Sequence, residues 1–282
     1  MILYPYAKIN IGLEVVCRRP DGYHDLQTLF YPLSKVGVSS FESHLQVQGL
    51  QAGCYDILEV VPSKELKMNL YGLTYPGEPL DNICIKAWQL IKQDYPDLQP
   101  VEISLFKRVP VGAGLGGGSS DCAHTIKAID QIFSLGMSLE QKLSYAAALG
   151  SDCPFFIYDK PMFGTGRGEI LEDYDLDLDA MGFELKLVHP PFFISTKDAY
   201  GGIVPRERWP KIEQNGKDII PLKELLAGKV ESWKAGVVND FEATVFEKYP
   251  ELASYKKKLY DQGAVYASMS GSGSTMFGIF KK

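Results

Sequence analysis

The run Pro110-Val111-Gly112-Ala113-Gly114-Leu115-Gly116-Gly117-Gly118-Ser119-Ser120-Asp121 places five glycines within seven residues. Glycines this dense remove Cβ atoms and admit positive φ. Successive amide N–H groups can then point into one concavity, which suits an anion. The stripe Ala123, Ile126, Ile129, Ile132 and Phe133 predicts a helix directly after the run. Its unpaired N-terminal amides and positive dipole end would strengthen an anion site. Ser119 and Ser120 add hydroxyls for phosphate oxygens or a magnesium ion. A tight strand-to-helix turn with Ser119 as N-cap would account for two or three glycines. Five exceed what a turn needs, so the run reads as a phosphate-binding loop.

The spacing Gly112-x-Gly114-x-x-Gly117 also fits a dinucleotide fingerprint. That fingerprint requires a second strand after the helix, with an acidic residue near its end. Here a second helix is predicted, because Ser138 and Gln141 form a capping box and Gly150 closes the segment. No Gly-Lys-Ser/Thr closes the loop, which excludes the Walker type, and the protein-kinase signatures are absent.

Other elements must hold this loop. Ala7, Ile9, Ile11, Leu13 and Val15 alternate with Lys8, Asn10 and Glu14 and predict a strand ended by Pro20-Asp21-Gly22. With a rise of roughly 3.3 Å per residue, Lys8 and Asn10 sit side by side on one face. Short strands are predicted over about 26–62. Asn82 caps a predicted helix burying Ile83, Ala87, Leu90 and Ile91, which stops before Pro96. Val101, Ile103, Leu105 and Val109 predict the strand leading into the loop. Beyond 160, strands are predicted near 184–189 and 275–280 and helices near 238–247 and 250–262. Pro250 suits the first turn of the last helix and Gly263 its exit. Strands and helices in this mixed order predict an α+β fold of two domains, 1–158 and 159–282, with mixed sheets and helices packed on them.

The chain has 282 residues, 45% hydrophobic and 23% charged, as in an ordinary globular enzyme. The net charge of −6 and the absence of any basic run longer than Lys256-Lys257-Lys258 argue against nucleic acid as a partner. Five cysteines at 17, 54, 84, 122 and 153, with no C-x-x-C pair, argue for a reducing compartment. The N-terminal residues lack a signal-peptide pattern and no stretch is long enough for a membrane helix, so a cytoplasmic protein without a membrane partner is expected. Oligomeric state carries no signal. Asp175, Asp177 and Asp179 mimic a calcium loop, but Ala180 and Lys186 stand where glycine and glutamate are required. His24, His44, His124 and His189 have no metal-ligand spacing. No metal site is therefore read from spacing; a magnesium ion would arrive with the phosphate-bearing ligand.

The glycine run resembles the nucleotide loop of the GHMP kinases, named for galactokinase, homoserine kinase, mevalonate kinase and phosphomevalonate kinase. Pro5-Tyr6-Ala7-Lys8-Ile9-Asn10 resembles the family's N-terminal motif. Ser268-Met269-Ser270-Gly271-Ser272-Gly273-Ser274 resembles its C-terminal glycine loop. Arg19-Pro20-Asp21-Gly22-Tyr23-His24-Asp25-Leu26-Gln27-Thr28, Leu149-Gly150-Ser151-Asp152-Cys153-Pro154-Phe155-Phe156 and His189-Pro190 are similar to the members that act on a cytidine diphosphate-linked alcohol.

The resemblance implies a GHMP-type fold, ATP as co-substrate bound along Pro110–Ser120, and a catalytic pair of Lys8 and Asp152. Asp152 would orient the acceptor hydroxyl or take its proton, and Lys8 would hold Asp152 ionised beside the γ-phosphate. Without that context, a strand lysine reads as a solvated or weakly paired surface group and Asp152 as the start of a helical turn. The resemblance also implies substrate contacts from Asn10, from Tyr23 and His24 at the cytosine, and from Thr196 and Tyr200, where Lys197 replaces a family proline. An aromatic face can stack on a base. The implied activity is phosphorylation of that substrate's 2-hydroxyl on the non-mevalonate route to isoprenoid precursors. Alternatives are a GHMP kinase for another alcohol such as homoserine or a sugar, a non-catalytic nucleotide-binding module on the same fold, and a Rossmann oxidoreductase. The Asp21-Gly22-Tyr23-His24 segment argues against the first, and the presence of both Lys8 and Asp152 against the second.

Overall fold

The computed structural model describes residues 1–47, 50–74, 77–205 and 220–282. The strands in chain order are β1 (Ile2–Leu3), β2 (Lys8–Arg18), β3 (His24–Pro32), β4 (Val38–Ser43), β5 (Gln46–Val47), β6 (Leu50–Gln51), β7 (Ile57–Pro62), β8 (Lys67–Gly72), β9 (Val101–Lys107), β10 (Met162–Thr165), β11 (Ile170–Asp173), β12 (Phe183–His189), β13 (Tyr266–Met269) and β14 (Met276–Lys281). The helices are α1 (Ile83–Asp94), α2 (Gly117–Phe133), α3 (Leu139–Leu149), α4 (Cys153–Tyr158), α5 (Thr196–Tyr200), α6 (Leu222–Leu226), α7 (Phe241–Lys248) and α8 (Glu251–Asp261). This is the expected α+β mixture.

The chain forms two compact units. The first comprises Met1–Lys8, Leu45–Val111 and Leu115–Lys160. Its sheet runs β1-β7-β9-β8, with β8 parallel to β9 and the other pairs antiparallel. Strict alternation along β9 turns Val101, Ile103 and Leu105 inward against Leu58, Val60 and Met68, and against Cys84, Ile85 and Ala128 from two helices. Burying each large aliphatic side chain contributes about 1.5–3 kcal/mol. On α1 the buried face includes Cys84 and Ile85 beside Ala87 and Ile91, whereas Ile83 and Leu90 are only half buried. The Asn82 side chain accepts from Cys84 N, as expected of a cap. The reciprocal Ser138–Gln141 box opens α3.

The second unit comprises Ile9–His44, Gly112–Gly114 and Pro161–Lys282. It holds the sheets β11-β10-β3-β2 and β13-β14-β12-β4. The family-style cut at 158/159 does not describe these units, because β2 and β3 lie in one sheet with β10 and β11 from beyond residue 160. Leu13 and Val15 are buried in one cluster with Val188, Phe241, Met269 and Phe280. The predicted helix near 238 starts later, at Phe241, because Asn239 accepts from Phe241 N. Pro250 stands one residue ahead of α8, and Gly263 leaves it at φ +98°.

Candidate active site

In the first unit, Lys8 N donates to Leu115 O at 2.9 Å. The lysine is 3% exposed, and its Nζ lies 3.4 Å from Asp152 Oδ2. Burial holds the Lys8 pKa below its ordinary value, and the neighbouring Asp152 charge opposes that shift. A further anion beside Lys8 would favour its charged form in the same way. Asp152 occupies the N-cap position of α4, yet its side chain makes no cap hydrogen bond. Its carboxylate faces Lys8 and keeps 34% of its side-chain surface exposed. The pair therefore differs from both ordinary readings: the lysine is not solvated, and the aspartate does not cap its helix.

In the same unit, the glycine loop from Leu115 onward adjoins Lys8. Gly112, Gly114 and Gly116 have φ of +68°, +78° and +69°, a region that L side chains rarely adopt. Gly116 is the N-cap of α2, so the helix begins at Gly117, two residues before Ser119. Ser119 is therefore not the cap. A Cβ on Gly116 would sit 3.0 Å from Lys8 Cε and 3.0 Å from Phe156 Cζ, whereas a Cβ on Gly118 would meet nothing within 4 Å. The first turn of a 17-residue helix is thus left clear at Gly118. That combination fits a phosphate at the helix N-terminus.

The two serines differ. Ser119 is half buried, while Ser120 is fully buried with its Oγ 3.4 Å from His124 Nδ1. Ser120, expected among the phosphate ligands, turns into the first unit's interior because position 120 lies on the buried face of α2. Pro110, Ala113 and Leu115 are buried as well, which leaves their backbone rather than their side chains to a ligand; Val111 is exposed.

In the second unit, Gly112–Gly114 adjoin the C-terminal glycine loop. Ser270 Oγ donates to Gly114 O at 2.8 Å, and Thr275 N donates to Ala113 O at 3.3 Å. Asn239 Nδ2 donates to Met269 O and Gly271 O at 2.8 Å each. Glu242 accepts from Met269 N at 2.8 Å and Ser268 Oγ at 3.0 Å. Sequence reading missed Asn239 and Glu242, which brace this second loop.

Asn10 is buried, with its Nδ2 donating to Thr28 Oγ1 at 3.0 Å. His24 and Tyr200 stack with ring centroids 4.7 Å apart and planes 23° from parallel. Burial lowers the His24 pKa, and the nearby Arg18 charge lowers it further. Tyr23 is 56% exposed, with the Arg167 guanidinium 5.0 Å over its ring. Thr196 opens α5, and its side chain lies outside the described residues.

A sequence model of the "GHMP kinases N terminal domain" matches residues 82–160, and one of the "GHMP kinases C terminal" domain matches residues 221–282. The chain is also 41% identical over 280 residues to a 4-diphosphocytidyl-2-C-methyl-D-erythritol kinase of Cytophaga hutchinsonii, covering 99% of this chain and 92% of that protein. The chain belongs to the GHMP kinase family. This GHMP kinase is 42% identical to a protein of the same name from Bacteroides fragilis, again over 99% of its length and 92% of the relative's. Among solved structures, a 4-(cytidine 5'-diphospho)-2C-methyl-D-erythritol kinase superposes with a TM-score of 0.75 at 28% identity, covering 99% of this chain and 89% of that one. A mevalonate kinase superposes at 0.65 with 12% identity, over 100% of this chain and 91% of the other, and shares the fold.

We propose that the His24–Tyr200 pair of this GHMP kinase contacts the base of the acceptor, which yields a prediction. Tyr200→Ala removes one ring of an aromatic pair, and base–aromatic stacking contributes roughly 1–3 kcal/mol. The KM for a cytidine-bearing substrate is expected to rise by about ten- to a hundredfold, with the KM for ATP unchanged. Steady-state kinetics with each substrate varied in turn would show it; equal KM shifts for both substrates would remove the stack from base recognition.

Proposed function

We propose that this GHMP kinase transfers the γ-phosphate of ATP to the 2-hydroxyl of 4-diphosphocytidyl-2-C-methyl-D-erythritol, on the non-mevalonate route to isoprenoid precursors. The observation that carries the reading is the Lys8–Asp152 pair, with Lys8 packed alongside Gly116 at the N-terminus of α2. The names and near-complete coverage of the relatives support the acceptor.

Phosphoryl transfer needs positioned phosphates, neutralised charge and an oriented hydroxyl. Backbone amides of Gly112–Gly118 and the first turn of α2 hold the phosphates. Asp152 orients the acceptor hydroxyl and takes its proton as the new O–P bond forms and the bond from the γ-phosphorus to the bridging oxygen breaks, leaving ADP. Lys8 pairs with Asp152 and offsets charge gathering on the transferred group. Magnesium accompanying ATP would neutralise phosphate charge, and Ser119 is the protein hydroxyl we assign to it. Asn10, Tyr23, His24, Thr196 and Tyr200 are assigned to the cytidine-linked alcohol. We place the protein in the cytoplasm, where its five cysteines remain thiols.

The test is turnover of the purified protein with ATP and each of three acceptors: the cytidine-linked alcohol, homoserine and mevalonate. ADP release and phosphorus NMR of the product are the readouts. The highest kcat/KM is expected with the cytidine-linked alcohol. Preference for another acceptor would overturn the substrate, and binding of both substrates without ADP release would overturn the catalytic reading.

A related prediction concerns the loop. Gly116→Val forces a β-branched residue into positive φ and onto Lys8. The KM for ATP is expected to rise by about a hundredfold, since small displacements of a positioning group cost that much. An unaltered nucleotide dissociation constant in calorimetry would remove the loop from ATP binding.

A further inference from the structure

A buried ionic cluster in the first unit lies outside the groups assigned so far. Along β9, the inward positions are Val101, Ile103, Leu105 and then Lys107. Lys107 is 1% exposed, yet it ends an apolar face. Its ammonium donates to Asp121 Oδ2 at 2.6 Å and to Asp56 Oδ2. Both carboxylates are also buried. Asp56 holds backbone as well, where its Oδ1 accepts from Arg108 N at 2.6 Å and Val109 N at 2.8 Å.

These contacts fall at both ends of the glycine loop. Arg108 and Val109 immediately precede Pro110, and Asp121 stands in the second turn of α2. Gly117, the first residue of α2, rests on the same cluster: a Cβ there would lie 2.9 Å from Val109 Cγ1 and 3.3 Å from Lys107 Nζ. One ammonium therefore ties the backbone before the loop, through Asp56, to the helix after it, through Asp121.

We propose that Asp56, Lys107 and Asp121 are positioning residues that fix the two ends of the glycine loop so that its amides meet the phosphates of ATP. This rests on the assignment of ATP to that loop. Buried ion clusters seldom raise stability over an apolar core of equal volume, because desolvation offsets their attraction. A cluster kept at this place is better explained by geometry it enforces. Two carboxylates around one ammonium also leave one negative charge in excess. Burial, reinforced by the Asp56 charge, raises the Asp121 pKa against the pull of Lys107. Asparagine matches the size of the Asp121 side chain and keeps an oxygen that can accept from Lys107.

The experiment uses the full chain and measures the KM for ATP, the KM for the acceptor, kcat and Tm. Asp121→Ala is expected to raise the KM for ATP by about tenfold while kcat and the acceptor KM stay within about threefold. Asp121→Asn is expected to restore wild-type values. The triple variant Lys107→Met, Asp56→Asn, Asp121→Leu replaces the charges while keeping an acceptor for Arg108 N and Val109 N. It is expected to hold its Tm yet share the raised KM for ATP. A wild-type KM for ATP in both Asp121→Ala and the triple variant overturns the proposal. So does failure of both to fold, which would make the cluster purely structural. Gly116→Val separates the two levels: if it too leaves the KM for ATP unchanged, the ATP assignment itself fails.

Discussion

Asp152→Asn is expected to lower kcat by about a thousandfold, within the range for removing a positioned general base. The carboxylate makes no cap hydrogen bond with α4, so asparagine should cost the helix little. It stands 3.4 Å from a buried ammonium, and asparagine keeps the shape while losing both the charge and the capacity to take a proton. The KM for ATP is expected to stay within about twofold, because the loop amides are untouched. The signature is a fall in kcat and kcat/KM together, far larger than any change in the KM for ATP. Turnover within tenfold of wild type, roughly, would exclude Asp152 as the base.

Gly114→Ala is expected to destabilise the protein more than any other single methyl added to the loop. The new Cβ would fall 1.9 Å from Ser270 O and 2.9 Å from Ser270 C, and both are backbone atoms that cannot rotate aside. The φ of +78° adds a conformational penalty of about 1–2 kcal/mol. Displacing the Ser270 backbone adds about 1–3 kcal/mol, and it disturbs the bond from Ser270 Oγ to Gly114 O. At about 2–4 °C per kcal/mol for a chain of this size, Tm should fall by roughly ten degrees. Gly118→Ala is the control. No atom lies within 4 Å of its Cβ and its backbone is helical, so its melting curve should match or slightly exceed wild type. Coincident melts for the two alanine variants would refute the close approach.

Some of this was legible in residue order. The apolar alternation of β9, the stripe on α2 and the Ser138–Gln141 box are local patterns, and local patterns report local structure. Lys107 was legible in principle: a lysine at the fourth inward position of an apolar strand face signals a buried charge. Its partners were not, since Asp56 and Asp121 become neighbours only when β9 and α2 pack. Alternation sets Lys8, Asn10 and Glu14 on one face of β2, but it carries no sign that all three are buried. His24 and Tyr200 lie far apart in sequence, and no periodicity links them. The start of α2 at Gly117 was obscured because serine is the usual cap, while here a glycine in the left-handed region does that work.

The interleaved arrangement of the two units bears on synthesis of the protein. Residues 9–44 leave the ribosome early, but β3 cannot pair with β10 until residues 162–165 follow. Leu13 and Val15 wait longer, for apolar partners as late as Phe280. At about 5–20 residues per second, these strands spend on the order of ten to fifty seconds without their final neighbours. Translation speed and chaperone supply should therefore govern the yield of this enzyme more strongly than they would for a chain whose units follow one another in order.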